Sequence, residues 1–250
     1  MALLLGALAL QAAGSPARLH RRAANYEWYC SGACANATAA TEPGQGGVVL
    51  MGGGTDVGAA FPWMGRRSGG GGLLVLRTGP SGDDAYDSFI LGLGDVSYAA
   101  TLILLDPTAS SEPFVLRKIA EAASIFFAGG GAPRPHPLCQ RVPAPRWHVR
   151  LTACGLRGRA DQSKYWRFWH GTAVQSAVQA RVNAGAPVGG TSAGQAILSG
   201  FVDSALTGSV TSSEALADPY DHRITISDTF LTLPHLGSIV ADMHFVVRDR

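Results

Sequence analysis

Val188-Gly189-Gly190-Thr191-Ser192-Ala193-Gly194-Gln195-Ala196-Ile197-Leu198 is the stretch on which the reading of this chain turns. Gly190-x-Ser192-x-Gly194 is Gly-x-Ser-x-Gly, the pattern of a nucleophile elbow, which needs a strand before it and a helix after it. Val182 to Val188 reads as a helix end, a turn and a short apolar strand, and Gln195 to Leu198 as the start of a helix. Residues without bulk let the backbone reverse sharply between the two. Such a turn lifts the Ser192 hydroxyl above the sheet edge and aims a helix N-terminus at it. The amide of Ala193 can then help hold an oxyanion. In a chain with 32 glycines, a tight loop around a buried serine is the competing reading.

Outward from the elbow, apolar runs alternate with amphipathic ones. Gly47–Met51, Leu73–Thr78, Thr101–Leu105 and Ser124–Ala128 read as strands; Tyr86–Leu93, Glu112–Ala122 and Trp166–Asn183 read as helices. Val115, Leu116 and Ile119 share one face of the second helix. Strands alternating with helices predict a mainly parallel sheet covered on both faces. In such sheets sites form beyond the strand C-termini, where the glycines at 52–54, 129–130 and 189–190 would gather. No Gly-Lys-Ser/Thr follows Gly52-Gly53-Gly54, which argues against a nucleotide cradle.

The chain has 250 residues, 46% hydrophobic and 15% charged, enough for one globular domain with a full core. A net charge of +2 points to no nucleic-acid partner. Met1–Gly14 is apolar, too short to span a bilayer, and reads as a signal peptide with small residues near its end; a hydrophobic helix docked on the domain is the other reading. Residues 15–45 read as a polar lead-in. Asn36-Ala37-Thr38 is an N-glycosylation acceptor, and Cys30 and Cys34 could pair in an oxidising compartment. The expected location is therefore secreted, or an endomembrane or vacuolar lumen. No metal site is expected at these cysteines, because no second ligand pair is suitably spaced.

Five pieces in order, Val49-Leu50-Met51-Gly52-Gly53-Gly54, Leu74-Val75-Leu76-Arg77-Thr78, Ile125-Phe126-Phe127-Ala128-Gly129-Gly130, Gly190-Thr191-Ser192-Ala193-Gly194 and Asp242-Met243-His244-Phe245, resemble cyanophycinases and related aspartyl dipeptidases, a family of serine exopeptidases. The resemblance runs from Gly46 to Arg250. It implies a three-layer flavodoxin-like α/β/α fold akin to class I glutamine amidotransferases. It implies Ser192 as nucleophile and His244 as the base that takes its proton, since a serine alone is a weak nucleophile. It adds Gly130 to Ala193 as oxyanion donors, and Gln162, Asp242, Arg248 and Arg250 as substrate contacts. Arginine forks suit a carboxylate; two solvated arginines near the chain end are the plainer reading. Gly237–Ala241 reads as a strand leading to His244. Without the resemblance, His170, His222 and His235 compete for the role of base.

Three departures from the family pattern stand out. Residues 131–160 separate Gly130 from Asp161, where the family runs directly from Gly-Gly to Asp-Gln. The segment holds six arginines, five prolines, two histidines and no acid; it carries +6, leaving −4 on the rest of the chain. It reads either as a basic loop or, preferably, as sequence foreign to the fold such as an intron read in frame. Second, the chain stops soon after His244, and the expectation is a C-terminal truncation that removes the acid orienting the histidine; Asp221, Asp228 or Asp242 are stand-ins. Third, Met243 replaces a glutamine common in cyanophycinases, which loosens the substrate expectation.

The expectation is thus a secreted serine-type exopeptidase cleaving aspartyl peptide bonds, with a peptide or β-aspartyl-arginine polymer as substrate. No metal or organic cofactor is called for, no stable membrane association is expected, and a homodimer is the candidate assembly. The rivals are an inactive pseudoenzyme or fragment on the same fold, and a basic binding module using 131–160. A glutamine amidotransferase would carry a cysteine where Ser192 stands.

Overall fold

The computed structural model describes residues 18–36, 44–79, 82, 86–129 and 162–244. Met1–Gly14, Thr38, Gly130, residues 131–160, Asp161, Arg248 and Arg250 lie outside the described residues. Nine strands and seven α-helices are described: β1 (Arg18–Arg22), β2 (Tyr26–Gly32), β3 (Val48–Leu50), α1 (Ala60–Arg67), β4 (Leu73–Thr78), α2 (Tyr86–Leu93), β5 (Tyr98–Leu104), α3 (Pro113–Glu121), β6 (Ser124–Phe127), α4 (Gln162–Trp169), α5 (Ala173–Asn183), β7 (Val188–Gly190), α6 (Ala193–Ala196), β8 (Val202–Asp203), α7 (Ser212–Ala217) and β9 (Ile226–Ser227).

Seven strands form one sheet in the order β1-β2-β5-β4-β6-β7-β3. β5, β4, β6, β7 and β3 run parallel, while β1–β2 and β2–β5 pair antiparallel. The fold is α/β with a mostly parallel central sheet flanked by helices. β4 shows why. Leu-Leu-Val-Leu-Arg-Thr is buried along its whole length, as expected of a strand covered on both faces. Its side chains alternate with period two: Leu73 and Val75 join Phe61, Met64, Ile90 and Phe126 under α1 and α2. Leu74 and Leu76 join Ile119, Phe127, Trp169 and Val178 under α3, α4 and α5. Burying each of these side chains contributes about 1.5–3 kcal/mol.

Short-range chemistry sets the helix ends. Pro113 opens α3, where its missing amide costs nothing. Arg66 and Arg67 close α1, complementing the negative end of its dipole. α7 begins with a capping box between Thr211 and Glu214.

Three expectations are corrected. Residues 18–32 are not part of a polar lead-in but two strands of the main sheet. The polar residues of β2 are accommodated because Glu27 pairs with Arg22 and Tyr29, and Ser31 donates to the buried Asp87. β1 is an exposed, arginine-rich edge, a composition that blunts pairing with other chains. The helix read over 166–183 is two helices, broken at Gly171, where φ is +70°. Finally, residues 237–241 form no strand. Val240 makes a single parallel bridge to Phe201, and Gly200 packs so tightly on Gly237 that no side chain fits between them.

Candidate active site

β7 sits between β6 and β3, and its end runs into the elbow. Gly190 lies against the Gly194 carbonyl, where an added Cβ would be 2.3 Å from the oxygen. Gly194 lies against the Phe127 carbonyl of β6 at a corresponding 2.1 Å. Strand and helix approach this closely only because both residues lack a side chain. Ser192 itself takes φ +52°, ψ −124°, outside the regions a residue with a Cβ normally occupies. Holding it there costs about 1–3 kcal/mol, which surrounding structure must offset. Ala193 and Gly194 are buried at the head of α6, and the first amides of a helix have no intrahelical acceptor.

Ser192 Oγ and His244 Nε2 are 2.7 Å apart, within the range required of a nucleophile and its base. Two contacts and a left-handed backbone bring His244 there. Its amide donates to the Gly52 carbonyl at 3.3 Å. Its ring lies on Gly53, where an added Cβ would stand 2.6 Å from the imidazole Cε1. Its own backbone has φ +59°. The loop 52–54 is anchored in turn, because the Met51 amide donates to the Gly190 carbonyl at 3.0 Å.

Other expected site residues fall as follows. Gly129 abuts the nucleophile: a Cβ there would be 2.8 Å from Ser192 Cβ. Tyr165, one turn into α4, donates to the Ala128 carbonyl, so α4 docks on the end of β6. Gln162 uses its side-chain amide to hold the Asp203 carbonyl at 2.7 Å. Asp242 accepts from the Met243 amide through Oδ1, and its backbone carbonyl accepts from Gln195. Met243 is buried, with 1% exposure. Asp221 is engaged by Arg223 through both carboxylate oxygens, and Asp228 is exposed. Of the competing histidines, His170 stacks on Trp166, His222 lies beside Asp221, and His235 is exposed. Cys30 and Cys34 form a disulfide. Asn36 ends a 3-10 turn that begins at Cys34. Among the described residues, no group of three or more His, Cys, Asp or Glu could hold a metal ion. No helix there is long and apolar enough to cross a membrane.

Two further residues escaped the sequence reading. Gln195, 5% exposed, accepts from the Gly52 amide and donates to the Asp242 carbonyl. Asp56, just beyond the glycine loop, accepts from the Tyr86 hydroxyl and lies near Thr191. Burial pushes the Asp56 carboxyl above its ordinary pKa, and the Tyr86 and Thr191 hydroxyls only partly offset this. The Thr191 approach falls short of hydrogen-bond geometry, leaving Asp56 Oδ1 and Thr191 Oγ1 buried without bonds. Both residues sit in stretches with no periodicity, and only the spacing of Gln195 three positions after Ser192 could have drawn attention to either.

No protein-family model matches the chain, and no curated protein matches it.

Proposed function

We propose that the chain is a serine-type hydrolase of flavodoxin-like fold, related to the cyanophycinases and aspartyl dipeptidases, that cleaves aspartyl peptide bonds. The observation carrying this reading is the strained Ser192 whose Oγ meets His244 Nε2 at 2.7 Å, at the C-terminal edge of a parallel sheet. That edge is where open α/β sheets bind ligands. In this reading Ser192 Oγ attacks the scissile carbonyl carbon while His244 Nε2 takes its proton. The tetrahedral oxyanion turns toward the amide of Ala193, with Gly130, which lies outside the described residues, as the second donor that the family resemblance implies. As the carbon–nitrogen bond breaks, His244 returns the proton to the leaving amine, and water then releases the acyl group by the same route. None of these steps calls on a metal or organic cofactor.

The buried Met243 offers no polar group to the substrate. The reading therefore favours small aspartyl peptides at least as much as a β-aspartyl-arginine polymer. A disulfide between Cys30 and Cys34 suits a secretory or lumenal compartment.

The test is a fluorophosphonate probe, whose phosphorus would bond to Ser192 Oγ with loss of fluoride. Labelling that is confined to Ser192 and absent from Ser192→Ala is expected. A chain that melts cooperatively yet takes no label overturns the reading in favour of a non-catalytic protein on this fold.

A further inference from the structure

Gln195 makes two hydrogen bonds that span the site. It stands on the helix directly after the nucleophile, and its side chain reaches across to two separate loops. Its Oε1 accepts from the Gly52 amide, in the glycine loop against which His244 rests. Its Nε2 donates to the Asp242 carbonyl at 2.7 Å, two residues before His244. The Gly52 carbonyl in turn accepts from the His244 amide, and Gly53 lies flat against the imidazole. A closed circuit results: Ser192, α6, Gln195, the glycine loop, His244 and back to Ser192.

The circuit matters because, among the described residues, His244 stands on no strand or helix. Residues 237–241 contribute one isolated bridge, at Val240, and no strand, and residues 241–244 lie outside any strand or helix. A side chain on a loop reaches productive geometry only when supporting hydrogen bonds lock it, and a displacement of about 1 Å can cost about 10²-fold in rate. Gln195 is suited to this because an amide carries a donor and an acceptor on one rigid plane. Its two loops present one of each, an amide N–H and a carbonyl.

We propose that Gln195 is the positioning residue of this site, fixing the His244 loop and the glycine loop to the nucleophile helix so that the imidazole stays within reach of Ser192. The proposal rests on the serine-hydrolase reading above. It requires both halves of the amide: an acceptor toward Gly52 and a donor toward Asp242.

The experiment compares Gln195→Met and Gln195→Glu with the native chain, reading the second-order rate of Ser192 labelling by a fluorophosphonate from pH 4.5 to 8, alongside thermal melting. Methionine keeps the length and loses both bonds. Its labelling is expected to fall by about 10- to 100-fold while the chain still melts cooperatively. Glutamate when ionised accepts from Gly52 but repels the Asp242 carbonyl; when protonated it reproduces the donor and acceptor of glutamine. The ratio of Gln195→Glu to native rate is therefore expected to climb as pH falls. Asp242 and His244, the titratable neighbours in contact with this circuit, are present in both chains, so their titration divides out of the ratio to first order.

A Gln195→Met rate within twofold of native overturns the proposal. So does a Glu-to-native ratio that is flat with pH, which would reduce Gln195 to a packing residue. If Gln195→Met does not fold, the Glu ratio decides alone. Absence of labelling in the native chain fails the hydrolase reading and takes this proposal with it, whereas native labelling with an indifferent Gln195 fails this proposal only.

Discussion

Ser192 Oγ and His244 Nε2 meet at 2.7 Å although 52 positions separate them in sequence. Neither residue reaches this contact by regular structure alone. Ser192 is thrust up by a turn that only Gly190 and Gly194 make compact, and His244 is held by the glycine loop after β3. Three loops thus converge on one hydrogen bond. A structural serine rarely needs so strained a backbone, and a strained residue supported on several sides is the usual mark of a functional position.

If this contact is the reactive pair, its two members should fail differently. Ser192→Ala should abolish fluorophosphonate labelling altogether. His244→Asn should keep the serine but lose the base, lowering the labelling rate by about 10²–10⁴-fold. Equal labelling in His244→Asn and native chain, measured as a second-order rate, would remove His244 from the chemistry.

The elbow and the central strands were legible in the sequence for plain physical reasons. β4 is a six-residue run buried on both faces, so its apolar content needs no periodicity to stand out, and its limits coincide with the strand read from sequence. Ser192 was marked by flanking glycines whose need is steric. β1 and β2 lack the continuous apolar run of the central strands: β1 has one apolar residue, Leu19, and in β2 the apolar Tyr26, Trp28 and Cys30 are interleaved with the polar Glu27 and Ser31. Glu27 is buried against its near neighbours Arg22 and Tyr29, but the partner of Ser31 is Asp87, 56 positions away and beyond any local window. The break between α4 and α5 was signalled by Gly171-Thr172, a helix stop followed by a polar helix start, and the apolar residues on both sides masked it. Asp56 carries no pattern, and Gln195 none beyond its place three positions after Ser192; their meaning lies in which distant atoms they touch.

The disulfide offers a test that does not depend on the enzymatic reading. Cys30 in β2 and Cys34 in the turn after it are both buried, and they are four positions apart. A loop this short restricts the unfolded chain only modestly, by about 2 kcal/mol on the loop-entropy estimate. Reduction, or the paired change of Cys30 and Cys34 to Ala, should lower stability by about that amount without preventing folding. Chemical denaturation with and without reductant reads it directly, and an unchanged midpoint would show that the bond contributes nothing.

Asp56 predicts a pH dependence of stability. Its folded-state pKa is raised above the ordinary 3.8, chiefly by burial. The sign follows from linkage: a raised carboxyl contributes stability that is complete below the unfolded pKa and lost as pH climbs through the folded one. Asp56→Asn keeps an acceptor for the Tyr86 hydroxyl and removes the ionisation. The variant's melting temperature relative to native should therefore improve from pH 4 to pH 7. A difference that stays constant or shrinks over that window would mean the carboxyl is not desolvated in solution.

The glycines around the pair separate catalysis from stability. At Gly53, φ is +138° and an added Cβ would stand 2.6 Å from the His244 ring. The obstacle is a side chain that can swing away, so Gly53→Ala should leave a folded protein whose imidazole is displaced from Ser192. Its labelling should fall toward that of His244→Asn, with a stability loss of about 1–3 kcal/mol from the left-handed backbone. At Gly194 the obstacle is the Phe127 carbonyl at 2.1 Å, part of the central sheet and unable to yield. Gly194→Ala must push α6 away from β6, at a cost of about 3 kcal/mol or more, so the loss should appear first in the melting curve. Measuring both variants by labelling rate and by thermal denaturation tests the assignment of each glycine. A Gly53→Ala chain that labels like native would mean that the glycine loop does not hold the histidine. A Gly194→Ala chain that melts like native would mean that the elbow does not pack on β6 as tightly as its geometry requires.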